Sequence, residues 1–387
     1  MRKIILFVLL ALASSFTFAQ EENVKKARSK AKAITPDFIA AKTFIDAALQ
    51  DESTKNLSET WYVKGLIEFR KYEIEDDKRL EVPPRKPDVN IQSEASYNAF
   101  IDWIVADSLD QVESVSNPKR KGKLAHRKDI ADNITKILPF IANYGLILFN
   151  NGDYAKSKIV FEQLSVMPQL EMFKNSEKIK ATDTLFLDAT TNIQVAMKQL
   201  YLKQLAAKDT VAFLNTLNEA TQKYPDNLFF LSNMIQYNIS TNKEKEALEN
   251  INKALVIDAK NPVLYYMRGF IYSLKPDKKK DASADFAKAM EIKPDFAEAV
   301  YAYGALIIEE GDAAYNRASV DIKNPKEAEL EMKRAQELYR KGIPYLEKAR
   351  ELNIKSDLDE LLKKLQATYY KLKMDDKVKE IRAARGL

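Results

Sequence analysis

The chain holds one imidazole, His126, and it stands in a basic run with Lys123, Arg127 and Lys128. A histidine that acts as general base needs a nucleophile or acid within hydrogen-bond reach. No such arrangement accompanies His126 in sequence, so it reads as a solvated residue of a link. The absence of Cys excludes thiolate zinc sites, iron–sulfur clusters, cysteine nucleophiles and disulfides. The adjacent carboxylates Glu309-Glu310 and Asp375-Asp376 could serve glycoside hydrolysis if a fold set them at the right separation. With 56 acidic residues in the chain, such pairs also arise by chance. The basic run Lys119, Arg120, Lys121, Lys123, Arg127 and Lys128 could touch an anionic polymer, but it lacks interleaved aromatics and reads as a solvated link. Nine glycines in 387 residues, against an average use of about 7%, argue against phosphate-cradling loops and turn-rich β folds. No cofactor, no metal site and no enzyme activity are expected from these residues.

The elements that would position such side chains are helices. Apolar residues recur at helical spacing almost throughout, strand-type alternation is scarce, Asp-Gly does not occur, and Asn151-Gly152 is not flanked by alternating strand-type runs,. The helical pattern repeats. In residues 262–296, Tyr265, Gly269 and Tyr272 lie on one helix, Ala282, Phe286 and Ala289 lie on a second, and Pro294 closes the unit. Residues 228–261 keep the phase with Leu231, Ala247, Ile251 and Ala254, and residues 194–227 keep it with Leu217, Ala220 and Pro225. Earlier, Gly145, Gly152, Asp153, Tyr154 and Phe161 mark a unit over 138–170, and Trp61, Gly65, Phe69, Ala99, Trp103 and Ala106 mark another. Ala41, Ile45 and Ala48 mark one more second helix. Later, residues 297–354 carry Gly304, Gly311 and Asp312, then Tyr345, Leu346 and Ala349. A helix pair cannot bury its apolar stripe alone, so such units stack into one continuous core. Glycines at the first-helix slot (Gly65, Gly145, Gly269, Gly304) and Gly342 mark close crossings, while Gly152 and Gly311 mark turns.

The N-terminus has an address of its own. Arg2 and Lys3 precede an apolar run from Ile4 to Ala13, and Ala19 offers a small residue before polar Gln20, Glu21 and Glu22. That is the pattern of a secretory signal peptide over residues 1–19. Cleavage would remove two cations and no acid, lowering the formal charge from +5 to +3, too little to point to nucleic acid. No Cys follows for lipid attachment, and no later stretch is apolar enough to span a membrane. The expected product is an exported chain of the periplasm or cell envelope that is not a lipoprotein.

These phrases carry a resemblance to a known family: AAKTFIDAALQ, ETWYVKGLIEF, LPFIANYGLILFNNGDYAKSKIVFEQL, YAYGALIIEEGDAAYNRAS and GIPYLEKARELN. The mature chain resembles the tetratricopeptide repeat (TPR) proteins, and in particular secreted TPR proteins of Bacteroidetes. The resemblance implies an all-α, right-handed α-solenoid of antiparallel TPR helix pairs, about seven or eight in number on a repeat of roughly 34 residues. N-terminal units would fill 22–170, with insertions at 73–93 and 113–127. A C-terminal array would fill 171–387, with units at 194–227, 228–261, 262–296 and 297–354, an insertion at 313–337 and capping helices over 358–385. The resemblance also implies a concave groove lined by first-helix residues that holds a protein or peptide partner, without catalysis. Carried onto this chain, the partner-binding positions are Tyr62, Phe69, Arg70, Asn150, Lys198, Gln236, Tyr266, Phe270 and Tyr301. Arg70, Asn150 and Lys198 are spread over different units, which argues against a clamp for a C-terminal carboxylate. The aromatics would equally serve to pack the groove wall. A glycan or envelope-polymer binding module, using the aromatics as sugar platforms and the basic link for anionic polymer, is the alternative.

Overall fold

A computed structural model of the chain describes residues 21–386, apart from 121, 175, 177, 178, 181, 182, 321–323, 355 and 356. The leader expected at 1–19 lies outside the described residues. Among the described residues there is no strand, and the helices follow one another in short succession. They are α1 (residues 21–32), α2 (Phe38–Gln50), α3 (Ser58–Asp77), α4 (Val89–Ser116), α5 (Arg127–Asn150), α6 (Tyr154–Val166), α7 (Thr184–Ala206) and α8 (Thr210–Lys223). Then come α9 (Leu228–Ser240), α10 (Glu244–Ile257), α11 (Pro262–Ser273), α12 (Lys279–Ile292), α13 (Ala297–Val320), α14 (Pro325–Glu351), α15 (Leu358–Lys371) and α16 (Asp375–Ala384). The chain divides between residues 216 and 217, inside α8, into two compact units. Each is an all-α stack in which consecutive helices pack together, the solenoid arrangement expected from the repeats.

In the first unit the pairing of α3 with α4 is antiparallel. Glu113, near the end of α4, accepts from the Ser58 backbone N–H at 2.6 Å, at the start of α3. At the other end, Glu75 accepts from the Asp88 backbone N–H at 2.9 Å. The crossing is tight because Gly65 faces the Trp103 indole. A Cβ there would lie 2.5 Å from the ring, closer than any side chain tolerates, so only glycine seats this fully buried Trp. Helix starts are fixed locally. Asp37 accepts from Ala40 N–H at 3.0 Å, and Asp88 caps α4 in the same manner. Such side-chain caps satisfy backbone donors that have no partner inside the helix. The stretch 73–93 holds the end of α3, a proline-bearing link through Pro83, Pro84 and Pro87, and the start of α4. The stretch 113–127 begins inside α4 and ends where α5 starts.

In the second unit the small-residue slots do the same work. Gly269 on α11 faces Phe286 on α12, and a Cβ there would lie 2.8 Å from the ring, too close to be accommodated. Along α13 and α14, Gly304 meets Tyr345, Ile308 meets Gly342, Gly311 meets Tyr339, and Arg317 meets Glu331. The partner numbers fall as the first rise, which is the signature of an antiparallel pair. Gly311 differs from the sequence expectation of a turn. The helix runs through it to Val320, and the glycine makes room for the Tyr339 ring instead. Helix α9 is capped by Asn227 and α11 by Asn261, with Pro262 at the first helical position, where its missing N–H costs nothing. Just past α9 and α14, Asn242 and Asn353 take φ values of 57° and 58°, the left-handed conformation that ends helices. Helices α15 and α16 occupy the stretch expected at 358–385.

Candidate functional site

The second unit contains a cleft of about 260 Å³ whose walls come from α11, α12, α13 and α15. Its floor is the buried cluster of Ala282, Phe286 and Leu306. Three of the aromatics expected in a groove meet here: Tyr266 and Phe270 from α11 and Tyr301 from α13. Tyr266 and Tyr301 occupy equivalent positions, each the fifth residue of its helix, so stacking of successive first helices brings their rings to one side. Tyr266 rests edge-on against Phe296, with centroids 5.3 Å apart. Phe270 is 40% exposed. Beside Ala302 and Ala305, the polar lining of the cleft includes Glu309 from α13, Asp357 ahead of α15, and Glu360 and Lys364 on α15. Lys364 lies 3.7 Å from one Glu309 oxygen and Lys279 lies 3.2 Å from the other. Burial pushes the Tyr301 phenol up to about 12, and the Glu360, Asp357 and Glu309 carboxylates push it the same way. Burial also raises Tyr266, assisted by Asp357 and Glu298. Both phenols are therefore neutral at ordinary pH and present O–H donors and ring faces.

Tyr62 holds the same fifth position of α3 in the first unit, but there the ring is covered. His126 stacks on it at 4.4 Å and 14°, its hydroxyl donates to Asp129, and the Arg28 guanidinium lies 5.5 Å from the ring centre. Only 8% of Tyr62 and 4% of Phe69 remain exposed. Phe69 packs against Trp103 at 5.3 Å and Tyr72 at 5.8 Å, and Tyr72 in turn meets Phe140 of α5. These two aromatics are core rather than open groove. The reason is that the start of α5 carries polar partners matched to the phenol, while Trp103 of α4 and Tyr72 of α3 close on the phenylalanine.

His126 is accordingly no solvated link residue. Its Nε2 is 3.2 Å from Glu59, and Glu59 also pairs with Arg28. Nor is the basic run free. Arg127 forks onto Asp107 with bonds of 2.7 and 2.9 Å. Arg120 pairs with Asp110 and, at 2.8 Å, with Glu113. Asp107 and Asp110 are buried on α4, so these arginines compensate interior carboxylates. Among the described residues the strip for an anionic polymer is reduced to exposed Lys119, Lys123 and Lys128, and Lys121 lies outside the described residues. A second concavity of the first unit, about 350 Å³, is lined by Lys64, Glu68, Tyr97 and Asp102 among others. Lys64 donates to Asp102 at 2.8 Å, yet burial dominates and pushes the Asp102 carboxyl up to about 6.

The remaining expected groove residues do not join either cavity. Arg70 pairs with its helix neighbour Glu73, Asn150 is exposed at the end of α5, Lys198 is exposed on α7 and Gln236 is exposed on α9. Asp357, Glu360 and Lys364 are the charged cleft residues that the sequence did not single out. Acids in the first turn of α15 read as ordinary helix-start charges, and nothing local ties them to α11. Among the described residues, no cluster of His, Asp and Glu is arranged to hold a metal ion, and no helix is long and apolar enough to cross a membrane.

No protein-family model and no curated protein matches the sequence. Solved structures do. The yeast Tom70 crystal structure matches with a TM-score of 0.36 and 10% identity, over 84% of this chain and 65% of that one. This chain thus spans less than two thirds of the Tom70 length. The P58(IPK) TPR domain matches with a TM-score of 0.31 and 12% identity, over 95% of this chain and 92% of that one. A monomeric IFIT1 mutant solved with Gppp-AAAA matches with a TM-score of 0.26 and 14% identity, over 93% and 98%. These superpositions are loose.

Proposed function

We propose that the chain is an exported, non-catalytic TPR scaffold that holds a protein or peptide partner in the cleft between α11, α13 and α15. The observation that carries this reading is the meeting of Tyr266, Phe270 and Tyr301 in one open concavity over an apolar floor. Aromatics gathered in a pocket, with polar groups at its edge, are the usual anchors of a binding surface. Export rests on the charged start, apolar run and small residue of the N-terminal stretch,. The glycan alternative has lost support, because two arginines of its basic strip are committed to buried acids.

The test is capture. Replacing Tyr266→Ser and Phe270→Ser together should weaken retention of a cross-linked partner by about ten-fold, equivalent to about 1.4 kcal/mol, while circular dichroism keeps its helical amplitude. Unchanged retention would rule the cleft out. Export is tested separately by N-terminal sequencing of the protein from the envelope fraction, where Gln20 should be the first residue. An intact Met1 in the cytosol would contradict it.

A further inference from the structure

The first unit holds a cavity of a different chemistry. Helices α2, α3 and α4 line the concavity of about 350 Å³, at the lower end of the 300–1,000 Å³ range of small-molecule sites. Each helix contributes one isoleucine to it, Ile45, Ile67 and Ile101, which together form an apolar patch. Beside the patch stand Lys64, Asn98 and Asp102. Asp102 is nearly enclosed, with 7% of its side chain exposed. Lys64 donates to its Oδ1 at 2.8 Å, and among the described residues no donor reaches Oδ2. That oxygen is not sealed inside the protein. A buried carboxylate oxygen without a donor is costly. Burial outweighs the ammonium beside Asp102 and holds its carboxyl at about 6, as expected of an acceptor short of donors. Asn98, four residues earlier on the same helix face, is half-buried and makes no side-chain hydrogen bond among the described residues.

The other charges of the lining are matched within the protein. Lys42 pairs with Asp46, and Glu68 pairs with Lys71 at 2.7 Å. A charged guest would therefore give up its hydration without gaining an unmatched opposite charge. An apolar guest would cover the isoleucines and leave Asp102 Oδ2 unpaired. Neighbouring hydroxyls on a small ring meet both demands. Each hydroxyl donates one bond and accepts others, the Lys64 ammonium has two N–H groups beyond the one given to Asp102, and the Asn98 amide both donates and accepts.

We infer that this cavity binds a small neutral polyol the size of one sugar ring. One hydroxyl donates to Asp102 Oδ2, a neighbour accepts from Lys64 Nζ, a third bonds the Asn98 amide, and the C–H face of the ring covers Ile45, Ile67 and Ile101. The site is separate from the peptide cleft of the second unit, and it uses none of the basic link, so it calls for no anionic polymer.

The experiment titrates the full chain with D-glucose, D-galactose, D-mannose and myo-inositol, and with D-glucosamine and D-glucuronate as charged counterparts. Binding is read by saturation-transfer NMR and calorimetry. At least one neutral ring should bind with a Kd of about 1 mM or tighter, and both charged sugars should bind on the order of ten-fold more weakly. Asp102→Asn should weaken the neutral ring by about ten-fold, because a carboxylate is the stronger acceptor. Asn98→Ala, at a half-buried position, should weaken it by about three-fold and guards against a folding artefact at the deeper Asp102. Failure of all four neutral rings to bind overturns the inference. Charged sugars that bind as tightly as the neutral ring overturn its selectivity, and unchanged affinity in both variants overturns the site.

Discussion

Tyr62 and Tyr266 are the same residue at the same place in two helix pairs, and they have opposite fates. Both are the fifth residue of a first helix, three residues ahead of a glycine whose missing Cβ lets the second helix close in, Gly65 under Trp103 and Gly269 under Phe286. In the first unit the next helix begins with His126 and Asp129, which stack on the ring and take its hydroxyl proton in a hydrogen bond. In the second unit the next first helix brings another tyrosine, Tyr301, and acids arrive from α15, leaving a cleft. Repeat register decides which side a residue faces. Whether that side is open is decided by what the following helices carry.

The contrast can be broken at its strongest point, the ion pairs that anchor the cover of the first unit. Arg127→Met strands the buried Asp107 carboxylate, and breaking such a pair costs about 3–5 kcal/mol. Thermal unfolding should show a large loss, while binding at the cleft persists at temperatures where the second unit is folded. An intact melting temperature would mean that the pair does not hold the cover in place.

The Asp102 carboxyl gives a smaller, pH-dependent effect. Its folded value of about 6 lies above the ordinary 3.8, so the folded state binds the proton more tightly. Stability contributed by the protonated form is present below about pH 4 and declines as pH rises toward 6, by up to about 3 kcal/mol if the whole shift is expressed. Urea titrations across that range should show the decline, and Asp102→Asn should flatten it. A pH-independent midpoint in the unaltered chain would contradict the burial of this group.

Smaller still is the paired test of the two tyrosines. Tyr62→Phe removes a donor from Asp129 and should cost about 1–2 kcal/mol. Tyr301→Phe, in the open cleft, should stay within about 0.5 kcal/mol. Equal costs would erase the distinction between covered and open positions.

Much of the fold was legible because it is local. The spacing of Ala41, Ile45 and Ala48 marks a face, and all three are buried. The glycine facing an aromatic on the paired helix follows from the close crossing. What was not legible depends on distance in sequence. Gly311 looked like a turn because its neighbourhood matches one, but α14 supplies Tyr339 to fill the space and the helix continues. His126 and the arginines looked solvated because their acids lie on other elements, Glu59 on α3 and Asp107 and Asp110 on α4. Of the expected groove residues, Tyr266, Phe270 and Tyr301 converge because they are periodic. Asp357 and Glu360 join them only through the packing of α15, which no local pattern encodes.

The central proposal is that the aromatic cleft of the second unit, and not the covered ring of Tyr62 in the first, presents the binding face. A photoreactive phenylalanine at Phe270 and, in a separate chain, at Tyr62 tests it directly in cells. Illumination should yield a discrete cross-linked partner from position 270 and none from position 62, with both chains folded by circular dichroism. Capture from position 62 alone, or equal capture from both, would contradict the account.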